Sequence, residues 1–321
     1  MIRRTPEDGV ALVSVLLIVA VVSALAYHLM TNHGLTLSAS RQLFEQAQLR
    51  EYALGGEIVA RQILYEDWEK ESSRLVDTYM DKWSTPFSTP QPEDGEVEVR
   101  ITDLMGRFNL NSVVGGGGLE NHARLKRMYR ILNMDPSFAD RWLDWIDLDT
   151  EITGLGLEDG DYLVHDPPYR TANQSAVHIS EFSLATGLSR EEFERLRSHV
   201  TVLPSLRLGI NVNTATASVL ESLSPNIGPS EVESLVQSER EYEDIESFTA
   251  DYAALGDSAG VLAVRSDYFE ISVRVVRFDR RVVLTTVVYR DPTTGQLAVL
   301  SRDFGQRFSM PPAEAGGASK V

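Results

Sequence analysis

Residues Val10–Met30, VALVSVLLIVAVVSALAYHLM, form an apolar run that contains no Asp, Glu, Lys or Arg. A helix needs roughly 20 such residues to cross the hydrocarbon core of a bilayer. The run follows a short polar leader, residues 1–9, in which Arg3 and Arg4 favour the cytoplasmic side. The sequence therefore predicts a membrane-spanning helix near the N-terminus, with most of the chain on the opposite side of the membrane.

Three interpretations compete for this segment. A cleaved secretory signal would end at Ala26, because Ala24-Leu25-Ala26 has the small residues of a cleavage site, but the apolar run is long for such a signal. A plain signal anchor would only hold a domain to the bilayer. The third interpretation starts from Gly9, directly before the apolar run, and from the helical pattern that continues beyond the run.

That continuation has the pattern of an amphipathic helix. Charged and polar residues separate apolar ones that recur at spacings of about three, four and seven. The apolar positions are Leu37, Phe44, Ala47, Leu54, Ile58 and Ile63. Gly55-Gly56 weakens the helix locally. The sequence predicts one long helix with a transmembrane half, residues 10–30, and an amphipathic half, residues 31–66, which can bundle with similar helices.

A helix of this kind resembles the N-terminal helix of type IV pilins. Gly9-Val10-Ala11-Leu12 is similar to a prepilin cleavage site, at which a dedicated peptidase cuts after the glycine. The resemblance implies cleavage between Gly9 and Val10 and N-methylation of Val10. Most pilins carry Glu at the fifth mature position, where this chain has Ser14. Lacking that Glu is a trait of the general secretion pathway protein K (GspK) family, large minor pseudopilins of type II secretion.

The soluble part has the pattern of an α+β fold. Residues 96–102 alternate like a strand, and the apolar spacing between Leu125 and Ile146 is helical. Three further strands, at 268–278, 282–289 and 296–301, predict an antiparallel meander. We expect a pilin-type helix packed on an antiparallel sheet, with a large inserted all-helical domain of helix-hairpin-helix or SAM-like type. The predicted regions are a pilin domain at 67–118 and 261–305, a Pro-rich linker at 84–95, the insertion at 119–260 and a disordered tail at 306–321.

Four further motifs resemble the GspK family in their order along the chain. They are Gly106-Arg-Phe-Asn-Leu-Asn111, Asp144-Trp-Ile-Asp-x-Asp149, Pro167-Pro-Tyr-Arg-x-Ala-Asn173 and Ile210-Asn-Val-Asn-Thr-Ala215. The resemblance implies a single-pass protein of the bacterial inner membrane, N-terminus in the cytoplasm and bulk in the periplasm. It also implies assembly with minor pseudopilins I and J at the tip of the pseudopilus, processing by the prepilin peptidase, and contact with the secretin or exported cargo.

Negative charge is concentrated in the middle of the chain. The net charge is −17, and residues 135–260 hold 24 Asp plus Glu against 7 Lys plus Arg. Six acids crowd one loop of this region: Asp147, Asp149, Glu151, Glu158, Asp159 and Asp161. The first three lie at alternate positions, which is typical of oxygen ligands for calcium, and the other three follow soon after, although the loop is not an EF-hand. The family resemblance also implies Ca²⁺, and the alternative is a solvated acidic turn whose Asp residues cap helices.

Other function classes have little support. The chain contains no cysteine, which excludes disulfides and thiolate chemistry, and no hydrolase motif appears, so no catalytic residue is predicted. Residues 210–255 resemble a helix-hairpin-helix unit, but acids surround Arg240, which disfavours nucleic acid as a partner. Two alternatives remain: a periplasmic hydrolase with a two-carboxylate, metal-dependent site in the acidic loop, and a DNA-uptake module.

Overall fold

The structure, a computed structural model, describes residues 7–70, 75–89, 95–206 and 209–305. Most of the expected leader and the whole expected tail, residues 306–321, lie outside these ranges. The helices are α1 (Glu7–Glu69), α2 (Gly118–Ile131), α3 (Ser137–Ile146), α4 (Asp159–Tyr162), α5 (Glu181–Thr186), α6 (Arg190–Leu196), α7 (Ala217–Leu223), α8 (Pro229–Gln237) and α9 (Ile245–Asp251). The strands are β1 (Phe87–Thr89), β2 (Gly95–Asp103), β3 (Phe108–Asn109), β4 (Val200–Thr201), β5 (Ile210–Asn211), β6 (Leu262–Ala263), β7 (Tyr268–Arg277), β8 (Arg280–Arg290) and β9 (Leu297–Asp303).

Helix α1 is continuous over 63 residues and packs its last third on the sheet. Gly55-Gly56 does not interrupt it. A Cβ at Gly56 would lie 2.8 Å from a methyl group of Val273 and 3.2 Å from one of Val99. The glycine therefore allows the helix to approach the sheet closely, and packing outweighs the low helix propensity of glycine.

The sheet has five antiparallel strands in the order β1-β2-β7-β8-β9. Val99 of β2 lies opposite Val273 of β7, which lies opposite Leu284 of β8. Alternate residues of these strands face α1 and are buried against Ala53, Ala60 and Leu64. The predicted C-terminal meander is confirmed. Strand β2 pairs with β7, the first strand of the meander.

The predicted linker at 84–95 contains a strand. Phe87–Thr89 form β1 and pair with β2, Phe87 opposite Val99. The interpretation as linker was wrong at these residues, because prolines are tolerated beside a short edge strand that has one neighbour. Residues 90–94 lie outside the described part of the chain.

A helical insertion lies between the neighbouring strands β2 and β7. Its core contains aromatic side chains from several helices, with Trp142 of α3 packed on Phe182 of α5 at 4.9 Å between ring centroids. Two pairs of two-residue strands, β3-β4 and β5-β6, accompany the helices. The predicted α+β class, with a long N-terminal helix on an antiparallel sheet and a helical insertion, is confirmed.

A buried polar network joins the insertion to the sheet. Asp103, at the end of β2, accepts hydrogen bonds from Asn211 Nδ2 (3.0 Å), Thr214 Oγ1 (2.5 Å) and Ser266 Oγ (2.6 Å). Burial raises the pKa of Asp103, although these donors oppose the effect. Asn211 and Thr214 belong to the Ile210–Ala215 motif, so this motif serves the junction between the two parts of the fold.

Candidate assembly helix and cation site

The first half of α1 has no packing partner within the described chain. Every residue from Val10 to Phe44 is exposed. This part of α1 is long and apolar enough to cross a membrane. Val10, the predicted mature N-terminus, lies in its first turns, and the backbone of Gly9 is helical as well. A bilayer or neighbouring helices must therefore cover this surface in the cell.

Ser14 satisfies its hydrogen bond within its own helix. Its hydroxyl donates to the carbonyl oxygen of Val10 at 2.9 Å. A carboxylate at this position would be costly in a bilayer unless a neighbouring subunit supplied a cation. A serine bonded to its own helix makes no such demand.

Beyond the apolar run, α1 has two different faces. Leu49, Ala53 and Ala60 lie on the buried face against the sheet. Leu37, Phe44 and Ile58, separated by multiples of seven residues, lie on the opposite side and are 71%, 71% and 63% exposed. Apolar residues at this spacing form the seam along which helices bundle.

The acidic loop begins at a buried carboxylate that is not among the six predicted ligands. Asp144, in the last turn of α3, is fully buried and accepts a hydrogen bond from the Thr153 backbone amide at 3.1 Å. Gly156 lies so close to this carboxylate that any side chain there would clash. Burial raises the pKa of Asp144. Its position three residues before Asp147, on the same helical side, was the signal available in the sequence.

Asp147 and Glu158 are the least satisfied carboxylates of the loop. Asp147 Oδ1 and both carboxylate oxygens of Glu158 are buried without a well-formed hydrogen bond among the described residues. Burial, with Asp149, Asp144 and Glu158 nearby, raises the pKa of Asp147 to about 7. Burial and Asp144 also raise the pKa of Glu158, against the lowering effect of the Asp159 amide. Such oxygens fit a hard cation, which would supply the missing counter-charge.

The other four predicted ligands are arranged differently. Asp149 and Glu151 are exposed on the first arm of the loop. Asp159 accepts from Arg170 Nη1 at 2.5 Å and from the Thr171 amide and hydroxyl, and these bonds lower its pKa. Asp161 accepts from the Glu158 amide at 3.1 Å in a helix-capping arrangement. The structure thus brings Asp147, Asp149 and Glu158 together with Asp144. Asp159 and Asp161 instead form hydrogen bonds with other groups.

A tighter carboxylate group lies elsewhere. In the described ranges, the group of three acids whose oxygens all lie within 4.8 Å is Asp67, Asp77 and Asp81, not the loop. Arg290 pairs with two of these three acids, with Nη2 at 2.6 Å from Asp77 Oδ1 and Nη1 at 3.8 Å from Asp67 Oδ2. An internal guanidinium therefore already supplies positive charge to this group.

The helix-hairpin-helix region uses its arginine internally. Arg240 donates to the carbonyl oxygens of Val212 (2.9 Å) and Ala215 (2.7 Å). Burial lowers the pKa of this guanidinium. The side chain is therefore committed to holding the Ile210–Ala215 segment and does not present a free charge to a phosphate.

Together these features define a class: a pilin-type protein with a single N-terminal membrane-anchor helix and an enlarged soluble domain. Family models described as type II secretion system (T2SS), protein K match residues 106–205 and 210–271. The type II secretion system protein K of Pseudomonas aeruginosa is 35% identical, and the alignment covers 98% of this chain and 97% of that protein. The chain belongs to the type II secretion system protein K family.

Further similarities agree with this assignment. The protein K of Aeromonas hydrophila is 27% identical over 88% of this chain and 93% of its own. A chain in the crystal structure of the GspK-GspI-GspJ complex from enterotoxigenic Escherichia coli has the same fold, with a TM-score of 0.74 at 24% identity. That match covers 84% of this chain and 99% of the other. The expected membership of the GspK family is confirmed.

Proposed function

We propose that the chain is a minor pseudopilin at the tip of the type II secretion pseudopilus, where it initiates and caps filament assembly. In this role α1 crosses the inner membrane with its N-terminus in the cytoplasm, and the sheet and insertion lie in the periplasm. The prepilin peptidase removes residues 1–9, and Val10 becomes the methylated N-terminus. The insertion then faces the secretin or the exported cargo.

The observation that carries this proposal is the exposed apolar seam of α1. Leu37, Phe44 and Ile58 face away from the protein's own sheet, where helices of other subunits can pack along them. The solved relative of the same fold was crystallised with GspI and GspJ. We infer that the minor pseudopilins I and J supply these helices.

Ser14 and the insertion support a position at the tip. A tip subunit has no subunit above it, and Ser14 needs no partner because its hydroxyl is satisfied by Val10. The insertion also adds a second hydrophobic core beyond the one between α1 and the sheet. Such bulk hinders the addition of another subunit above this one.

Replacing Phe44 with Glu is expected to disrupt the complex with I and J. The change removes an apolar contact of the seam and places a charge in a helix interface, which weakens binding by about 2–4 kcal/mol, or roughly 30-fold or more. The measurement is co-purification of the three proteins from a detergent extract. Gln46→Glu adds the same charge on the other side of α1 and should leave the complex intact. If I and J were recovered equally with both variants, the seam would not be the surface that binds them.

We also propose that the acidic loop binds Ca²⁺ through Asp147, Asp149 and Glu158, with Asp144 behind them. The buried, unsatisfied oxygens of Asp147 and Glu158 support this proposal. Calcium takes six to eight oxygen ligands, so binding draws the carboxylates closer together and completes the shell with backbone oxygens and water. Asp159 and Asp161 hold the second arm of the loop in place through their bonds to Arg170 and Glu158.

Removing calcium is expected to destabilise the insertion. At 100 times its dissociation constant, a ligand of the folded state adds about 2.7 kcal/mol, which corresponds to a rise of roughly 5–10 °C in melting temperature. The measurement is thermal unfolding of the full chain in EDTA and after addition of excess Ca²⁺. Glu158→Gln should abolish the response and raise the melting temperature in EDTA, because it removes a buried charge. Asp257→Asn, at an exposed acid of the same region, should behave like the unaltered protein, and a calcium response that survives Glu158→Gln would place the ion elsewhere.

A further inference from the structure

We propose that the tip of the β7–β8 hairpin, Arg277-Phe278-Asp279-Arg280-Arg281, is a second membrane contact that docks on phospholipid headgroups where α1 leaves the bilayer. This inference rests on the proposed membrane span of α1. It concerns the subunit while it is anchored in the membrane, and it goes beyond the assembly role, because it fixes how the soluble part lies on the bilayer.

The length of the uncharged part of α1 sets the level of the hairpin tip. Residues 10–40 contain no Asp, Glu, Lys or Arg, and Arg41 is the first charged residue after the apolar run. At 1.5 Å per residue this stretch spans roughly 46 Å. A bilayer with its headgroup regions is about 40–45 Å thick. Arg41 therefore lies at the outer headgroup level when Val10 lies at the inner one.

The hairpin tip is bonded to α1 at this level. Arg280 Nη1 lies 3.1 Å from Glu45 Oε2 and donates to the backbone oxygen of Gln42 at 3.4 Å. Arg277 Nη1 donates to Gln48 Oε1 at 2.8 Å. These contacts lie within about two helical turns of Arg41. The hairpin tip is thus held beside the exit point of the membrane helix.

Phe278 is an exposed aromatic residue at a turn position that bulky side chains seldom occupy. Its φ of 53° lies in the left-handed region, which is a strained choice for a bulky side chain and an easy one for Gly or Asn. The ring is 75% exposed and lies 5.5 Å from the Arg277 guanidinium. The two-residue hairpin turn sets this φ, and the sequence places an exposed aromatic ring there, a side chain that can enter the apolar boundary of a membrane.

The charge around Phe278 fits phosphate. Four arginines, Arg41, Arg277, Arg280 and Arg281, lie around the hairpin tip with two acids, Glu45 and Asp279, so these six residues sum to +2 within a chain of −17. A crevice of about 230 Å³ between α1 and the hairpin tip is lined by the first three of these arginines. Guanidinium groups bind phosphate oxygens in a bidentate manner. Cations beside an exposed aromatic ring favour a phospholipid surface over the carboxylates of a second copy.

Position-specific labels can test this contact, because the chain contains no cysteine. We would place a fluorophore at Asp279→Cys in the hairpin tip, at Thr293→Cys in the turn at the opposite end of the sheet, and at Ser23→Cys within the span. Both loop positions are exposed. The full chain is reconstituted into vesicles of phosphatidylcholine and phosphatidylglycerol that contain nitroxide lipids, labelled at the headgroup or in the acyl chain.

We expect acyl-chain nitroxide to quench the Ser23→Cys label, and headgroup nitroxide to quench the Asp279→Cys label but not the Thr293→Cys label. Adding Phe278→Ser should weaken the membrane contact of the hairpin roughly tenfold, the effect of exposing one aromatic side chain to water. Vesicles without phosphatidylglycerol should weaken it as well.

The label at Ser23→Cys separates the two proposals. If it is quenched and the Asp279→Cys label is no more affected than the Thr293→Cys label, the hairpin contact is wrong while the membrane span stands. If it is not quenched, the span and the hairpin contact both fail. The fluorescence of the Asp279→Cys label could instead change with the number of protein molecules per vesicle and not with the nitroxide lipid. That result would mean that the hairpin tip contacts a second copy of the chain, and it would overturn the lipid contact.

Discussion

Replacing Arg290 with Met is expected to lower the free energy of unfolding by about 3–5 kcal/mol, the usual loss when one partner of a buried ion pair is removed. The Arg290 side chain is 1% exposed, and its Nη2 donates to both oxygens of Asp77 at 2.6 and 2.7 Å. It also donates to the Ser266 carbonyl oxygen at 2.8 Å, and its guanidinium lies 4.7 Å from the ring centroid of Phe269. Without it, buried Asp77 would lose its ion-pair partner beside the buried Asp67.

The loss should depend on pH. Burial raises the pKa of Asp77 to about 7, against the lowering effect of Arg290. A folded-state pKa above the unfolded value means that stability is lost as pH rises through the folded value. Removing Arg290 removes this lowering effect, so the pKa of Asp77 rises further in the Arg290→Met variant. That variant should therefore lose stability as pH rises through 7 and recover toward pH 5, where Asp77 is protonated. Urea unfolding of the full chain in detergent, followed by tryptophan fluorescence at pH 5 and pH 8, measures this.

Two further variants separate charge from packing. Arg290→Met combined with Asp77→Asn removes the stranded carboxylate and should recover a substantial part of the loss at pH 8. Arg281→Met changes an exposed arginine of the same strand and should alter stability by no more than about 0.5 kcal/mol. If the single and double variants were equally unstable at both pH values, lost packing rather than unpaired charge would be the cause.

Periodicity predicted the parts of this fold that have a strong one-dimensional pattern. The uncharged run starting at Val10 and the alternation of Val and Ile in β7 and β8 each predict an element from neighbouring residues alone. The three residues of β1 carry too little pattern, since pairing with Val97–Val99 defines them. The Arg290–Asp77 pair joins residues 213 positions apart, and no local signal connects them.

In the acidic loop, too, local sequence pattern predicts one part of the arrangement and tertiary packing determines the rest. Spacing identified six crowded acids, because like charges without a local cation stand out in a sequence. Spacing could not tell that Asp159 turns toward Arg170 and Thr171, or that Asp144 of α3 lies behind Asp147. Both arrangements depend on the path of the chain after Gly156, and the packing of the whole insertion determines that path.

Replacing Gly9 with Arg is expected to leave the leader attached in cells that contain the prepilin peptidase. The glycine precedes the predicted cut, and a long charged side chain at this position does not fit a site that resembles those cleaved after glycine. Intact-mass analysis of the protein extracted from membranes gives the result directly. The unaltered chain should begin at Val10, and the variant should begin at Met1, heavier by the nine leader residues and the substitution.

The same measurement separates the competing interpretations of the N-terminus. Cleavage of a secretory signal would give Tyr27 as the first residue in both proteins, and a plain anchor would give Met1 in both. Ala26→Leu is the matched control, since it blocks signal cleavage after Ala26 but keeps the span apolar and should still yield Val10.

Retention of the leader should also abolish assembly. An uncut subunit carries Arg3, Arg4, Glu7 and Asp8 ahead of the apolar run. Extracting α1 toward the periplasm would draw these charges into the hydrocarbon, at about 2.5–3.5 kcal/mol for each charged residue at the centre of the bilayer. Cleavage after Gly9 removes all four, and the helix that remains is uncharged in its side chains as far as Ser40. The proposed cut would therefore convert a membrane anchor into a rod that can leave the bilayer, and a Gly9→Arg variant that assembled normally would contradict this coupling.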